Sequence, residues 1–305
     1  MYFENIRKGV ESMAFLSYLI NGMGLGSVYA IIALGYTMVY GIAKMLNFAH
    51  GDVIMIGAYT AFYCLTVFKF STFTSILIAV LLCTVLGILI ERFAYKPLRK
   101  ASSLSVLITA IGVSYFLQNL AQILFGTNPK VFPELMRNST FSLFDGQLTL
   151  SYKTLLTIIV CILIMILLTI FVNKTKTGKA MRACSQDKEA AQLMGINVDN
   201  TISITFALGS GLAAIAAVLL CMTYSTFTPT LGSMPGIKAF TAAVFGGIGS
   251  IPGAFVGGLL LGIIETLTKA YLSTQLSDAI VFMVLIIVLL IRPTGLLGKK
   301  VHEKV

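Results

Sequence analysis

Long apolar runs separated by short polar loops dominate the pattern of the chain. A helix that spans a membrane needs ~20 mostly apolar residues. Runs that meet or approach this length lie at residues 15–42, 53–70, 72–91, 104–125, 153–172, 201–222, 252–271 and 276–292. The pattern predicts an all-α polytopic membrane protein. Because no linker or shift in composition divides the chain, we expect a single transmembrane domain over residues 1–305.

A further apolar segment, residues 236–249, is too short for a full crossing. It has only fourteen residues and is followed by the sequence Ser-Ile-Pro-Gly. Short apolar segments that Gly and Pro interrupt are typical of broken or re-entrant helices, which line a cavity or pack inside the protein. We therefore expect eight or nine transmembrane helices, including this short or re-entrant glycine-rich segment.

The composition agrees with a membrane protein. Of the 305 residues, 57% are hydrophobic and only 11% are charged, whereas soluble domains carry roughly 25% charged residues. The mean hydropathy is +0.92. The net charge of +10 does not indicate nucleic-acid binding, because the cations cluster in short loops beside the apolar runs, where they orient a protein in its membrane.

These basic loops predict the topology, because cytoplasmic loops carry an excess of Lys and Arg. We expect loops 92–103 and 173–200 and the C-terminal tail to lie in the cytoplasm. Besides the cations of 173–200, the first loop carries Arg92, Lys96, Arg99 and Lys100, and the tail carries Arg292, Lys299, Lys300 and Lys304. Loop 126–152 has mixed charge and is expected outside. The same reasoning predicts that the N-terminus lies outside, although Arg7 and Lys8 oppose this. Met13 is a second plausible start of the protein.

The basic segment Lys174–Gly195 lies between two apolar runs and carries five cations against two acids. Its second half predicts a short helix, with Ser185 or Asp187 as the N-cap and Gly195 at the C-terminal end. A short amphipathic helix between two membrane spans lies on the membrane surface or against another protein. The alternative is a plain anchoring loop.

The most polar cluster beside a membrane run is Leu-Asn-Phe-Ala-His-Gly-Asp, which contains Asn47, His50 and Asp52. These side chains would form a hinge or pathway at a helix N-terminus, whose positive dipole end favours anionic groups. The alternative is a helix cap with an interfacial histidine whose hydrogen bonds are satisfied. A second break, with Gly246, Gly247 and Gly249, weakly resembles this one. We assign these three glycines to the same predicted hinge or pathway.

Glycines recur at spacings of four residues. Small residues at this spacing let helix backbones approach closely in lipid. We interpret them as packing positions, in preference to direct contacts with a substrate. The positions are Gly22, Gly26, Gly253, Gly257 and, on a neighbouring face, Gly262.

Few charges interrupt the apolar runs. Glu265 and Lys269 are four residues apart and are expected to pair. Lys238 is expected to extend to the membrane surface. None of them forms the series of buried carboxylates or histidines that a proton-coupled carrier usually needs. This argues against an ion-coupled secondary carrier, which remains one alternative.

Motifs of catalysis are absent from the sequence. It contains no GxxxxGK[ST], GxSxG or HExxH. The five cysteines form no CxxC pair, and two histidines are too few for a histidine-rich metal site. We therefore expect no catalytic residue, no metal site and no bound cofactor, and a polytopic membrane enzyme is the weaker alternative.

Five segments together give the chain a family resemblance. It resembles the permease subunits of bacterial branched-chain amino-acid ABC transporters of the LivH type, nearly from end to end. The segments are NGMGLGSVYAIIALGYTMVYGIAKMLNFAHGD (21–52), ERFAYKPLR (91–99), TGKAMRACSQDKEAAQLMGIN (177–197), KAFTAAVFGGIGSIPGAFVGGLLLGIIE (238–265) and RPTGLLG (292–298).

The resemblance implies an importer of leucine, isoleucine and valine in the bacterial plasma (inner) membrane. An external binding protein would deliver the substrate, a second permease of similar fold would pair with this chain, and two cytoplasmic P-loop ATPase subunits would bind ATP and Mg. Within the family, a permease for urea, a short amide or another amino acid is the narrower alternative.

The resemblance also assigns residues to energy coupling. The segment with Glu189, Ala190, Ala191 and Gly195, preceded by Arg182, resembles the start of the EAA motif, a short helix that docks into a cleft on the ATPase. Two features depart from the family. The Leu-Pro pair that ends the longer motif does not follow Gly195, and Asp52 stands where the family usually has Glu.

Overall fold

The computed structural model describes residues 2–99, 101–136, 140–143 and 148–298. Lys299, Lys300 and Lys304 of the predicted cytoplasmic tail, and Lys100, lie outside these residues. The helices are α1 Tyr2–Ala43, α2 His50–Thr66, α3 Thr72–Ile90, α4 Ser103–Phe125, α5 Tyr152–Lys174, α6 Lys176–Gln186, α7 Lys188–Leu193, α8 Val198–Thr223, α9 Ser233–Gly246, α10 Ile251–Tyr271 and α11 Ser277–Ile291. A π-helical turn, Glu91–Tyr95, and a 3-10 turn, Lys96–Leu98, continue α3.

The predicted all-α polytopic membrane protein is confirmed in its main features. Among the described residues, six helical stretches are long and apolar enough to cross a membrane: Ala14–Ala43, Thr72–Leu98, Ser103–Phe125, Tyr152–Lys174, Val198–Thr223 and Ile251–Tyr271. The other apolar runs also form helices, but α2, α9 and α11 have only 17, 14 and 15 residues.

Side-chain caps explain where several helices begin. An oxygen of each capping side chain accepts a hydrogen bond from a backbone N–H in the first turn, which would otherwise lack a partner. The capping residues are Ser71 for α3, Ser102 for α4, Ser151 for α5, Thr175 for α6, Asp187 for α7, Asn197 for α8 and Ser250 for α10.

Helix α1 lies at the centre of the bundle and packs against α5, α8, α9 and α10. Its contact with α10 is a contact between backbones. A Cβ atom on Gly262 would lie 2.2 Å from the Cα of Gly26, and one on Gly22 would lie 2.8 Å from the Cα of Ile263. Only glycine permits helices to approach this closely.

Helix α10 uses a second glycine face against α9. A Cβ atom on Gly257 would lie 2.2 Å from the carbonyl oxygen of Ala242, and one on Gly253 would lie 2.5 Å from that of Gly246. The two glycine faces of α10 therefore hold α1 on one side and α9 on the other.

The outer helices α3, α4, α5 and α11 expose large apolar side chains, such as Leu81, Phe116, Ile159 and Met283. Exposed apolar area on this scale marks surfaces that lipid or another protein covers. It agrees with the membrane assignment.

Two small antiparallel sheets depart from the all-α prediction. Strand β1 (Lys130–Val131) pairs with β4 (Thr226–Phe227), and β2 (Thr140–Leu143) pairs with β3 (Leu148–Ser151). Strands as short as these give almost no periodic signal in the sequence. The first pair ties the loop after α4 to the loop after α8.

The prediction that Lys238 extends to the surface is wrong. Lys238 is buried, and its Nζ atom lies 2.8 Å from Glu265 Oε1 and 2.6 Å from Asp278 Oδ1. The predicted pair is confirmed, because Lys269 Nζ lies 2.6 Å from Glu265 Oε1. The Tyr29 hydroxyl donates to Glu265 Oε2 at 2.9 Å. The buried Lys238 and Glu265, with the partly exposed Lys269 and Asp278, form what we call the buried charge cluster, which joins α9, α10 and α11 and is linked to α1.

Candidate functional site

The predicted coupling segment forms two helices, α6 and α7, and Asp187 caps the second. Its Oδ1 atom accepts hydrogen bonds from the backbone N–H groups of Glu189 at 2.9 Å and Ala190 at 3.0 Å. Ser185 is not a cap, because its hydroxyl donates to the carbonyl of Arg182 at 2.7 Å and thus belongs to the end of α6. Asp187 thus fixes the start of α7.

Helix α7 ends in a left-handed turn at Gly195, whose φ is 82°. The backbone N–H of Ile196 reaches the carbonyl of Ala191 at 3.0 Å, as in a glycine-terminated helix end. Ala191 is buried, whereas Leu193 and Met194 are 88% and 82% exposed. Two adjacent apolar side chains are therefore exposed at the tip of a polar segment.

The other members of the predicted coupling set lie on the same surface. Glu189 and Ala190 are exposed on α7, and Arg182 is exposed on α6. The Arg182 guanidinium donates from Nη1 to Asn173 Oδ1 at 3.0 Å, which ties α6 to the end of α5.

A contact that the sequence does not reveal fastens α7 to the central helix. Lys188 Nζ donates to the carbonyl of Ala43, the last residue of α1, at 2.7 Å. Burial lowers the pKa of Lys188, and the charges of Arg99 and Lys44 lower it further. This hydrogen bond links the start of α7 to the end of α1.

The cluster around His50 lies inside the protein. The chain turns back after α1, and α2 therefore begins in the interior. Asn47 Oδ1 accepts a hydrogen bond from the Tyr95 hydroxyl at 3.0 Å, and Asp52 Oδ1 accepts one from Gln118 Nε2 at 2.9 Å. Ala49 occupies the N-cap position, and no side chain caps α2. Both side chains thus also bond to other parts of the fold, Asn47 to the turn after α3 and Asp52 to α4.

His50 is buried against α1, with its ring 4.7 Å from the ring of Tyr36. Its Nε2 atom finds no hydrogen-bond partner among the described residues. Within the described residues, the hydrogen bonds of His50 are thus not all satisfied.

The beginnings of α2 and α9 meet at this point. A Cβ atom on Gly51 would lie 2.5 Å from the carbonyl oxygen of Gly232, directly before α9. Gln118 Nε2 also lies 3.4 Å from Ser233 Oγ, so that one amide joins both helix starts. We call Asn47, His50, Asp52, Gln118 and Ser233 the polar junction. Sequence reasoning missed Gln118 and Ser233, because nothing local relates them to a loop that is far away along the chain.

The three glycines of the second break lie apart from the start of α9, in the turn that leads from α9 to α10. Gly247 has a φ of 108° and Gly249 a φ of 93°, a backbone region that favours glycine. The carbonyl of Gly246 accepts a hydrogen bond from Leu297 at 2.9 Å, so this turn holds the segment after α11.

A narrow cleft runs between the polar junction and this turn. Asn47 and Ile248 line it together with Tyr36, Tyr40 and Phe240, and it encloses no space for a water molecule. The structure thus brings Asn47 close to the turn between α9 and α10. Gly51, in the first turn of α2, lies instead beside the start of α9.

Replacing Gln118 by methionine should destabilise the protein by about 1–3 kcal/mol, because the buried Asp52 carboxylate would lose a charge-assisted hydrogen bond. The measurement is the thermal unfolding of the purified protein in detergent. The control is Asn119→Met, which removes a neighbouring amide that, among the residues the structure describes, bonds only to the carbonyl of Tyr115. Equal effects of both changes would contradict the role assigned to Gln118.

Comparison with known proteins agrees with this arrangement. A family model described as "Branched-chain amino acid transport system / permease component" matches residues 18–289. The chain is 46% identical to the high-affinity branched-chain amino acid transport system permease protein LivH of Salmonella typhimurium, over 97% of this chain and 99% of the relative. BraD of Pseudomonas aeruginosa is also 46% identical, and LivH of Escherichia coli K12 is 45% identical, both with the same coverage.

The family match spans nearly all of the membrane helices, and the relatives share almost half of their residues with this chain over their whole length. The chain therefore belongs to the family of permease components of branched-chain amino acid transport systems.

Proposed function

We propose that this chain is the membrane-spanning permease subunit of an ATP-binding-cassette importer for leucine, isoleucine and valine. It translocates a substrate that an external binding protein delivers, and it performs no covalent chemistry. The observation that carries the proposal is the near-full-length identity of 46% to permease proteins of high-affinity branched-chain amino acid transport systems.

The importer contains a second permease of similar fold and two cytoplasmic ATPase subunits, which hold ATP and Mg. The absence of a P-loop from this sequence supports separate ATPase subunits. The apolar faces of α3, α4 and α5 provide surfaces for lipid and for the second permease.

Helix α7 is the element that docks on the ATPase. The exposed Leu193 and Met194 enter an apolar cleft, while Glu189 and Arg182 provide charged contacts at the rim. Ala190 and Ala191 keep the helix narrow, and Gly195 ends it sharply. Closure of the ATPase pair then moves α7, and the bond from Lys188 to Ala43 passes this movement to α1.

The topology that fits this role has eight or nine crossings. Helices α2 and α11 cross in addition to the six longer stretches, and α9 enters the membrane as the short glycine-rich segment. Loops 92–103 and 173–200 and the C-terminal tail lie in the cytoplasm of a bacterial plasma membrane, since they carry most of the cations of the chain.

The polar junction lies on the translocation pathway. Two helix starts meet there, and their partial positive charges suit the carboxylate of an amino acid. His50 Nε2, which lacks a partner among the described residues, offers a hydrogen bond to that substrate. The turn with Gly246, Gly247 and Gly249 acts as a hinge, because its backbone occupies conformations that glycine adopts without strain.

The experiment that tests this function uses the complete importer in proteoliposomes. Leucine with its binding protein should stimulate ATP hydrolysis and drive uptake. Uptake that follows an ion gradient and persists without the ATPase subunits would overturn the proposal. Stimulation by urea or a short amide, and not by leucine, would show that the ligand has been misassigned.

Changing Leu193 to serine should weaken the capture of the ATPase subunits roughly tenfold or more, because a central apolar anchor of an interface contributes about 2 kcal/mol or more. Co-purification in mild detergent measures this. The control is Leu272→Ser, which changes another exposed leucine in the same way. Leu272 directly follows α10, at the end of this helix that lies away from the α9–α10 turn, and its change should not alter capture. Normal capture by the Leu193 variant would contradict docking through α7.

A further inference from the structure

A cavity of about 350 Å³ lies between the end of α1, the start of α4 and α7. It is distinct from the polar junction, with which it shares no residue. Its polar lining contains Lys44, Arg99, Lys188 and Ser103, and its apolar lining includes Met45 and Val106. Three cations thus face one space at the end of the bundle that carries the coupling helices.

The charges at this cavity are incompletely balanced. Arg99 pairs with two carboxylates, those of Glu91 and Asp199. For Lys44 and Lys188, by contrast, no carboxylate of the described residues lies within ion-pairing distance. Arg99 and Lys44 are close enough to lower the pKa of Lys188 beyond the effect of burial. An anion in the cavity would balance the charges of Lys44 and Lys188, which no carboxylate of the described residues neutralises.

The backbone around the cavity favours an anion as well. Ser103 is the first residue of α4, a helix of 23 residues. The positive dipole end of this helix therefore lies at the cavity wall. Lys44 has a φ of 58°, in the left-handed region that a lysine rarely adopts. Lys44 directly follows α1, and its backbone N–H donates to the carbonyl of Tyr40 at 2.9 Å, so this conformation ends the helix at the cavity.

We propose that this cavity binds a phosphate group, from either the headgroup of an anionic phospholipid or a free phosphate compound. Three cations and a helix start match a phosphate, which carries one or two negative charges and several acceptor oxygens. A zwitterionic amino acid fits less well, because its ammonium group would be repelled. The apolar wall of Met45 and Val106 borders the phosphate and accepts the uncharged remainder of the ligand.

The experiment measures binding to the purified full-length chain, and therefore does not depend on transport. In one arm, native mass spectrometry compares retention of phosphatidylglycerol with that of phosphatidylcholine from mixed vesicles. In the other arm, inorganic phosphate is titrated while thermal unfolding is followed. Loss of one charged contact should weaken binding about tenfold, and added salt should weaken it further.

The chain offers a matched pair of variants, Lys44→Asn and Lys69→Asn. Both lysines have positive φ, 58° for Lys44 and 53° for Lys69, which asparagine tolerates. Lys69, however, lies in the loop between α2 and α3, away from the cavity. Lys188→Gln is the second variant at the site, for use if Lys44→Asn fails to fold.

Each outcome decides the proposal. Preferential retention of phosphatidylglycerol, lost in Lys44→Asn or Lys188→Gln and kept in Lys69→Asn, supports a lipid headgroup. A phosphate-dependent rise in Tm with the same pattern, without lipid preference, supports a free phosphate compound. Equal behaviour of the cavity variants and Lys69→Asn in both arms would overturn the phosphate site.

Discussion

Replacing Glu265 by glutamine should destabilise the permease by about 3–5 kcal/mol, the cost of breaking a buried ion pair by removing one partner. The Glu265 side chain is 1% exposed and accepts contacts from Lys238, Lys269 and Tyr29. Lys238, itself only 8% exposed, would be left with Asp278 alone. Thermal unfolding in detergent and the fraction of monodisperse protein after extraction measure the loss.

Lys269→Gln is the matched control for this variant. Lys269 bonds to the same Glu265 oxygen, but its side chain is 32% exposed, and without it Glu265 still pairs with Lys238. We expect a loss of less than about 1 kcal/mol, as for exposed ion pairs.

A double-mutant cycle separates the pair from its surroundings. Lys238→Met combined with Glu265→Gln should cost less than the sum of the single changes, because the double variant removes both members of the buried pair together. Strictly additive effects, or a Glu265 variant as stable as the Lys269 variant, would contradict the view that the buried charge cluster holds α9, α10 and α11 together.

Replacing Gly262 by alanine should cost on the order of 3 kcal/mol, because one added methyl group must displace a backbone. The new Cβ atom would lie 2.2 Å from both the N and the Cα atom of Gly26 in α1. The obstructing atoms belong to the main chain, so rotation of a side chain cannot relieve the clash. The two central helices must instead separate.

Gly112→Ala is the control, since Gly112 also lies within a membrane helix, α4, but a Cβ atom there would meet nothing within 4 Å. In an exposed helical position this change should be neutral or slightly stabilising, because alanine is the better helix former. The apparent Tm and the yield of monodisperse protein compare the two variants. Equal yields would show that the α1–α10 contact tolerates expansion.

The helices could be predicted from the sequence because each membrane helix must satisfy its own backbone within one continuous apolar run. The predicted run 104–125 corresponds to Ser103–Phe125, and 153–172 to Tyr152–Lys174. The run 53–70 is less accurate, since α2 begins at His50 and ends at Thr66. There the polar residues lie inside the protein, so polarity does not mark the helix start.

The pairing of distant residues could not be predicted. Lys238, taken alone, has the length and charge of a side chain that extends to the surface. Its burial depends on Glu265 and Asp278, which lie on two later helices. Such contacts follow from how helices cross, and the periodicity of one sequence does not contain that information.

The central position of α1 has a consequence for the biosynthesis of the protein. Helix α1 leaves the ribosome well before α10, but the glycine face that covers it belongs to α10, which ends at Tyr271. At about 5–20 residues per second, roughly 10–45 s pass between the two events. During this interval the glycine face of α1 is covered by lipid or by the insertion machinery. A nascent chain that stops before α10 therefore contains an α1 whose glycine face has no helix packed against it, and quality control meets this exposed face.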